Sequence, residues 1–214
     1  MKFSAKGLLF DNDGVLVDSL PAAVAAWNEW SATYAPGWNW GEAENSGVRA
    51  QDMVLRMVGE ARFAEANDLI NRLELETASN TVPMPGAIEL TSSLAPGNWT
   101  VCTSAIAALG RARLQAAGIP IPRELVTGDD VANGKPDPEP YLLGAARLGL
   151  EPEDCVVFED ALAGCQAAFD AGVGLIVGVS ESALDTPADI VVRDLSGITF
   201  DGQELYIPDR NRLR

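Results

Sequence analysis

The strongest constraint on the fold is an alternation of short apolar strands with helix-favouring segments, which runs from Pro83 to about Val192. We predict strands over 99–102, 125–127, 155–158, 174–179 and 189–192, and helices over 87–94, 106–117, 139–148 and 162–171. A first strand is predicted over 7–10. Strands that alternate with helices in this way form a parallel sheet covered by helices on both faces. The pattern therefore predicts a three-layer α/β fold with a Rossmann-like core.

One long segment interrupts this alternation after the first strand. Residues from about 20 to 78 show helix-favouring patterns and no strong strand pattern, with breaks at Pro36-Gly37 and at 45–47. We therefore predict a core formed by residues 1–18 and 83–214, and an inserted all-helical domain over 19–82. Tryptophans at 27, 30, 38 and 40 are expected to pack inside the insertion, with lining a pocket as the alternative. Residues 209–214 are predicted to form a frayed tail.

Composition excludes several kinds of chemistry and partner. The chain has no histidine, which excludes Ser-His and Cys-His catalysis and histidine metal ligands. Its net charge of −16 argues against nucleic acid and anionic membranes as partners. Cys102, Cys155 and Cys165 are an odd, sparse set without zinc-binding spacing, which predicts reduced, buried thiols. No apolar run is long enough for a membrane span and no signal peptide is evident, so we expect a cytoplasmic protein and, with no sign of an obligate interface, a monomer.

Acidic residues stand directly after two of the predicted strands. Asp11 and Asp13 follow the first strand, and Gly14 allows the chain to turn there. Glu159 and Asp160 follow the strand over 155–158. Uncompensated charge at a buried strand end is costly, so such acids are usually metal-bound, hydrogen-bonded or catalytic. Because ligands bind beyond the carboxyl ends of parallel strands, we expect these acids to converge on one site.

Polar residues after two other strands complete the predicted site. Thr103 and Ser104 follow the strand over 99–102, and Lys135 lies in a Gly-Lys-Pro loop after the strand over 125–127. Hydroxyl and ammonium groups at such positions are typical ligands of a phosphate. Lys135 would also offset the repulsion between an anionic substrate and this acidic chain.

The residue types suggest a role for each acid. Carboxylates are the ligands that Mg²⁺ prefers, so Asp11 and Asp160 are predicted to bind Mg²⁺ directly, Asp13 through its carbonyl and Glu159 through water. A free carboxylate oxygen of Asp11 is suited to attack phosphorus and form an aspartyl-phosphate. Asp13 is suited to protonate the leaving oxygen and later to deprotonate the hydrolytic water.

Each of these elements alone has an ordinary structural explanation. Asp-x-Asp-Gly also occurs in helix-loop-helix calcium sites, but those need a preceding helix and a final Glu, where this chain has Ala22. Thr103 alone would be a strand-end hydroxyl, Lys135 a surface lysine, and Glu159 with Asp160 a pair of helix-capping acids. The prediction therefore depends on their conjunction, each after an apolar strand.

In this order the motifs resemble those of the haloacid dehalogenase superfamily. The matching segments are 10–19, Thr103, 134–138 and 157–160, followed by Gly164 and Ala167-Ala168. The resemblance covers essentially the whole chain and is closest to the phosphatase and phosphomutase branch, in which a small helical cap is inserted after the first strand. Within that branch the chain is similar to bacterial sugar phosphatases. The resemblance implies the same nucleophile, acid/base, phosphate-binding and Mg²⁺-binding residues as the chemistry above, and makes residues 19–82 a cap domain.

Three positions add to this pattern or depart from it. Asn12 occupies a place where an apolar residue is usual, and we expect it to add a polar contact near the phosphate. Ala161 replaces the Ser that commonly follows the Glu-Asp pair, which removes one hydrogen bond. Arg49 is similar to a cap arginine that contacts substrate in some relatives, and a solvated cation at a helix start is the equal alternative.

Four functions are weighed on this basis. The leading prediction is Mg²⁺-dependent hydrolysis of small phosphomonoesters, with sugar phosphates as the expected substrates. A sugar phosphomutase is the first alternative, although its relatives typically carry a cap-hinge histidine and the matching place near Ala23 has none. A catalytically silent phosphometabolite-binding protein is the second, and the presence of all motif residues argues against it. Dehalogenation is weaker still, because Asp13 and the Glu159-Asp160 pair suit a metal-phosphate site.

Overall fold

A sheet of six parallel strands forms the centre of the computed structural model, which describes residues 1–38, 40 and 46–214. The strands, numbered in chain order, are β1 Lys2–Ser4, β2 Gly7–Phe10, β3 Val17–Asp18, β4 Val82–Pro83, β5 Trp99–Cys102, β6 Leu125–Val126, β7 Cys155–Glu159, β8 Leu175–Val179, β9 Ile190–Val192, β10 Thr199–Phe200 and β11 Glu204–Tyr206. The central sheet has the order β6-β5-β2-β7-β8-β9. Phe10 of β2 pairs with Val101 of β5 and Phe158 of β7, so these three strands end side by side.

Helices cover both faces of this sheet. They are α1 Leu20–Tyr34, α2 Ala50–Val58, α3 Glu60–Thr77, α4 Ala87–Ser93, α5 Ala107–Ala116, α6 Glu139–Leu148 and α7 Leu162–Ala171. Because side chains alternate between the faces of a strand, Leu8 and Phe10 pack in one hydrophobic cluster and Leu9 in another. The first cluster includes residues of α4 and α5, and the second includes residues of α6 and α7. The predicted three-layer parallel-sheet fold is confirmed.

Between β3 and β4, the described residues form three α-helices. These helices, α1, α2 and α3, share a hydrophobic cluster of their own, in which Trp27 and Trp30 are buried. The indole nitrogen of Trp30 donates a hydrogen bond to the carbonyl of Ala66 at 2.8 Å, which fixes α1 against α3. β3 and β4 pair as a short antiparallel ribbon where the chain leaves the core and returns to it. The division into a core of 1–18 and 83–214 and an inserted domain of 19–82 stays a prediction.

The expectation of a frayed tail at 209–214 is wrong. The backbone N–H of Leu213 donates to the carbonyl of Val191 at 2.7 Å, and that of Arg193 donates to Asn211 at 2.8 Å. The Arg214 guanidinium donates to carbonyls of the loop that precedes β9. The tail is therefore held along the edge strand β9, a pairing that its charged composition does not indicate.

Near the chain ends, a small antiparallel sheet with the order β1-β11-β10 accompanies the central sheet. Leu205 at its centre pairs with Phe3 and with Phe200, and packs in the same cluster as Leu8. Strands of two or three residues carry too little periodicity to be recognised, so the sequence pattern does not predict them.

The three cysteines are free and buried, as expected. Burial raises the pKa of each of these thiols to about 12, so they do not ionise near neutral pH. No helix in the described part of the chain is long and apolar enough to cross a membrane.

Candidate active site

Three carboxylates meet at the carboxyl ends of β2 and β7. One oxygen each from Asp11, Glu159 and Asp160 lies within 4.8 Å of the other two. Asp11 and Glu159 are buried and Asp160 is half-buried. The parallel register of β2 and β7 causes this meeting, because the pairing of Phe10 with Phe158 places the residues that follow beside each other.

A buried ammonium group lies between two of these acids. The Nζ of Lys135 donates to Oδ1 of Asp11 at 2.6 Å and to Oε1 of Glu159 at 2.7 Å. It also lies 4.9 Å from the ring centroid of Tyr141. Because the side chain of Lys135 is fully buried, each of these contacts acts without competition from water.

Glu159 is surrounded by donors on both carboxylate oxygens. Oε1 accepts from Lys135 and from the hydroxyl of Tyr141 at 2.9 Å. Oε2 accepts from the backbone N–H groups of Asp160 and Ala161, each at 2.9 Å. Four donors fill the lone-pair positions of this carboxylate. Glu159 therefore orients Lys135 and the backbone of Asp160, and its predicted water-mediated contact with a metal stays a prediction.

Burial and mutual repulsion shift the titration of the acids. Burial, followed by the charges of Glu159 and Asp13, raises the pKa of Asp11 to about 7, although Lys135 opposes the shift. Burial and the same kind of repulsion raise the pKa of Asp160 well above its usual range. The two carboxylates raise the pKa of Lys135, which stays charged. The cluster therefore holds more negative charge than one ammonium group offsets.

Two glycines permit this close packing. A Cβ at Gly164 of α7 would overlap the carboxylate of Glu159, and a Cβ at Gly14 would overlap that of Asp160. Gly14 also has a φ of 85°, a conformation that side chains disfavour. The resemblance to the superfamily included both positions, and the geometry gives each a steric reason.

Asp13 takes part in a separate network that joins the core to the helical insertion. Its Oδ1 accepts from the hydroxyl of Ser19 at 2.5 Å and from Nη1 of Arg113 at 3.0 Å. The Nη2 of Arg113 donates to Oε1 of Glu74, on α3, at 3.2 Å. Arg113 and Glu74 are both buried, and burial raises the pKa of Glu74 even though Arg113 opposes the shift. One guanidinium therefore bridges a candidate catalytic acid and the insertion.

A cavity of about 590 Å³ opens above these acids, between the core and the helical insertion. Asp11, Asp13 and Asp160 line it from the core. Residues of α1, α2 and α3 line it from the insertion, among them Trp27, which is also part of the insertion's own hydrophobic cluster. Both expectations for the tryptophans, packing and pocket lining, thus apply to Trp27.

Arg49 and Ser104, two other predicted site residues, line the cavity, and their polar groups already make hydrogen bonds within the protein. Arg49 makes a two-point ion pair with Asp52, at 2.6 and 2.9 Å. Its remaining N–H groups point to backbone carbonyls of 128–132, the nearest that of Val131 at 2.9 Å. The Ser104 hydroxyl donates to the carbonyl of Gly47 at 2.6 Å. Both residues thus join the insertion to the core, and their roles in substrate binding stay predictions.

Thr103, Lys135, Glu159 and Asn12 are buried and are not among the residues that line this cavity. The Oγ1 of Thr103 accepts from the backbone N–H of Ala105 at 3.1 Å, which leaves its own O–H available as a donor. The side-chain amide of Asn12 is fully buried, and neither its oxygen nor its nitrogen has a hydrogen-bond partner. The predicted contact between Asn12 and a phosphate stays a prediction.

Several residues of the site were not assigned a role from the sequence. Arg113 and Glu74 lie 39 residues apart, and no local pattern connects them. The signal that exists is a charge on a packed helix face, because Glu74 follows the buried Ile70 at helical spacing. Ser19 belongs to a segment that resembles the superfamily and Tyr141 follows another, but their contacts with Asp13 and Glu159 appear only in the structure.

The acidic cluster suits a hard divalent cation such as Mg²⁺. Asp11 and Asp160 place carboxylate oxygens close together, and the pKa of each is raised by burial and by the neighbouring carboxylates. Oxygen donors of this kind are those that Mg²⁺ prefers. The donor set thus supports the predicted metal-binding roles of Asp11 and Asp160.

Comparison with known proteins places the chain among hydrolases. The model of the haloacid dehalogenase-like hydrolase family matches residues 5–172. Hexitol phosphatase A of Escherichia coli K12 is 39% identical over 207 residues, which cover 92% of this chain and 95% of that protein. Glycerol-1-phosphate phosphohydrolase 2 of Saccharomyces cerevisiae is 30% identical over 94% of this chain and 87% of its own length. A hydrolase from Pseudomonas syringae has a TM-score of 0.75 and 28% identity, with 88% of this chain and 93% of that chain covered.

Proposed function

Because the chain belongs to the haloacid dehalogenase-like hydrolases, and its curated relatives are phosphatases, we propose that it hydrolyses small phosphomonoesters, with sugar and polyol phosphates as the substrates. The observation that carries this proposal is the arrangement of Asp11, which lines the cavity at the end of β2 and is held by the Lys135 ammonium at 2.6 Å. Asp11, the proposed nucleophile, thus lies next to a fixed cation and faces a cavity of substrate size.

In the proposed first step, a carboxylate oxygen of Asp11 attacks phosphorus while the ester P–O bond breaks. Lys135 holds Oδ1 of Asp11, which leaves Oδ2 for the attack. Lys135 and the Thr103 hydroxyl offset the negative charge on the phosphoryl oxygens, the main source of catalysis in phosphoryl transfer. The product of this step is an aspartyl-phosphate on Asp11 and an alkoxide that needs a proton.

Asp13 supplies that proton and later removes one from the hydrolytic water. Water then attacks phosphorus, the bond from phosphorus to Asp11 breaks, and phosphate leaves. Ser19 and Arg113 both contact Oδ1 of Asp13, so this carboxylate is fixed in orientation and Oδ2 is the oxygen we assign to proton transfer. The mechanism needs no imidazole, in agreement with a chain that has no histidine.

We further propose Mg²⁺ as the cofactor, bound by Asp11 and Asp160 with the carbonyl of Asp13 nearby. When bound, the ion would neutralise phosphoryl oxygens and reduce the repulsion between the substrate and the acids. The proposed domain division, a core of 1–18 and 83–214 with a cap over 19–82, places the cap above this site. We also propose a cytoplasmic location, supported by three free, buried thiols, and a monomeric state.

The test is a phosphate-release screen of the purified chain over sugar, polyol and nucleotide monophosphates, with Mg²⁺ and with a chelator. We expect release from sugar or polyol phosphates with Mg²⁺, and its loss in the Asp11→Asn variant. Chromatography of the products separates hydrolysis from isomerisation, because a mutase would form a new sugar phosphate without free phosphate. A folded protein that binds these esters but releases no phosphate would overturn the proposal and favour a binding protein.

A further inference from the structure

A row of three polar side chains on α3 lines the same cavity as the catalytic acids. Asn67, Asn71 and Glu74 occupy positions i, i+4 and i+7, which lie on one face of a helix. Ile70 and Leu73, between them in the sequence, are buried in the hydrophobic cluster of the insertion. The helix therefore packs through its apolar face and turns a polar row towards the cavity.

The Glu74 end of the row is joined to Asp13 through Arg113. Arg113 contacts Asp13 with one nitrogen and Glu74 with another, so Glu74 lies one guanidinium away from the acid/base. Asn71 and Asn67 follow one and two turns further along α3. At a rise of 1.5 Å per residue, Asn67 lies about 10 Å along the helix axis from Glu74. A substrate that is held at Asp11 and follows this row would meet Glu74 first and Asn67 last.

The groups in the row are suited to hydroxyls. Asn67 and Asn71 carry amides that both donate and accept hydrogen bonds, and Glu74 accepts them. The Oδ1 of Asn67 is buried and has no hydrogen-bond partner, so this acceptor lacks a donor. Leaving such a group unpaired is unfavourable, and a ligand hydroxyl would satisfy it.

The described lining of the cavity offers little to a second anionic group. Its cations are Arg49 and Arg113, and each is already paired with a carboxylate. Trp27 and Trp40 also line the cavity, with their rings stacked at 4.9 Å, and add flat apolar surface of the kind that packs against C–H groups. Amides, one carboxylate and aromatic surface together match an uncharged polyhydroxylated chain.

We propose that Asn67, Asn71 and Glu74 bind successive hydroxyls of an open-chain polyol phosphate and thereby select substrates by carbon-chain length. This inference rests on the proposed phosphatase function and specifies its substrate. Glu74 contacts hydroxyls near the phosphate, and Asn67 contacts those at the far end of a six-carbon chain. A three-carbon substrate reaches Glu74 but not Asn67.

The test compares kcat/KM for hexitol 6-phosphate and glycerol 1-phosphate in the wild type and in the Asn67→Ala variant. Loss of one neutral hydrogen bond in the site is expected to lower kcat/KM for the six-carbon ester about tenfold, and that for the three-carbon ester by a much smaller factor. Asp68→Ala is the matched control, because Asp68 is exposed on the same helix turn and does not line the cavity. The control should leave the ratio of the two values unchanged.

The outcomes separate this inference from the proposed function. Equal losses on both esters, or no loss on the hexitol ester, would overturn the chain-length role while hydrolysis stands. A hexitol bisphosphate hydrolysed as fast as the monophosphate would also overturn it, because the far end would then accept an anion. A wild-type protein that releases phosphate from no ester would overturn both.

Discussion

Replacing Lys135 by Met should destabilise the protein strongly, and more so at alkaline pH. Met keeps an unbranched apolar stem but removes the ammonium that lies 2.6 Å from Asp11 and 2.7 Å from Glu159. All three side chains are buried, so the two carboxylates would lose the cation that offsets their charge. Breaking a buried pair in this way costs about 3–5 kcal/mol, which corresponds to a fall in Tm of about 6–20 °C for a chain of this length.

The sign of the pH dependence follows from the carboxylates. Lys135 lowers the pKa of Asp11, which is already raised to about 7 by burial, so its removal raises that pKa further. The folded variant then binds more protons than the unfolded chain above the ordinary carboxyl pKa, and its stability falls as pH rises. Near pH 5 Asp11 is protonated and its repulsion with the neighbouring carboxylates is relieved. The difference in stability between wild type and variant should therefore be large at pH 8 and small at pH 5.

Urea denaturation of the metal-free protein at pH 5 and pH 8 measures this difference. Lys6→Met is the matched control, because Lys6 makes an ion pair with Asp154 at a comparable 2.7 Å but is exposed. An exposed pair contributes little, so the control should be indistinguishable from wild type at both pH values. A Lys135→Met variant as stable as this control, or a loss equal at both pH values, would refute the assignment of Lys135 as the buried counter-ion of the site.

Three further predictions concern stability and activity. Gly164→Ala should lower Tm and activity together, because its Cβ would overlap the Glu159 carboxylate; full activity in this variant would contradict the packing. Asn12→Leu should stabilise the protein by about 1–3 kcal/mol in urea denaturation, because it replaces a buried amide without hydrogen-bond partners by an apolar group of similar size. A destabilised variant would show that the amide has a partner. The rise in Tm on adding Mg²⁺ should grow from pH 6 to pH 8, because the cation replaces the proton bound by Asp11. The Asp160→Asn variant should lose most of this rise. A rise that does not depend on pH would point to unspecific binding.

The parts of the site that follow strands were predictable from the sequence. Asp11, Thr103 and Asp160 each come after an apolar strand, and the parallel topology alone requires such residues to meet at one edge. The same reasoning correctly gave the order of strands and helices in the core. It could not give the small sheet of β1, β10 and β11, whose strands have no more than three residues and depend on contacts between the chain ends.

The contacts between the insertion and the core were not predictable, because they join residues distant in the sequence. Arg113 of the core and Glu74 of the insertion are separated by 39 residues, and nothing local marks them as partners. Arg49 was expected either to contact substrate or to lie in solvent, whereas the structure buries it against carbonyls of 128–132 and against Asp52. An arginine side chain is long and can pair with different nearby acceptors, so the residues around it determine its role.

The central claim, that Asp11 is a phosphorylated nucleophile, is tested most directly by trapping the intermediate. The enzyme is mixed with a reactive polyol or sugar phosphate and Mg²⁺, quenched in acid within milliseconds, and digested for mass spectrometry. We predict a phosphoryl group on the peptide that contains Asp11, which disappears in the Asp11→Asn variant. Steady release of phosphate without any covalent phosphate on that peptide at any quench time would contradict the mechanism.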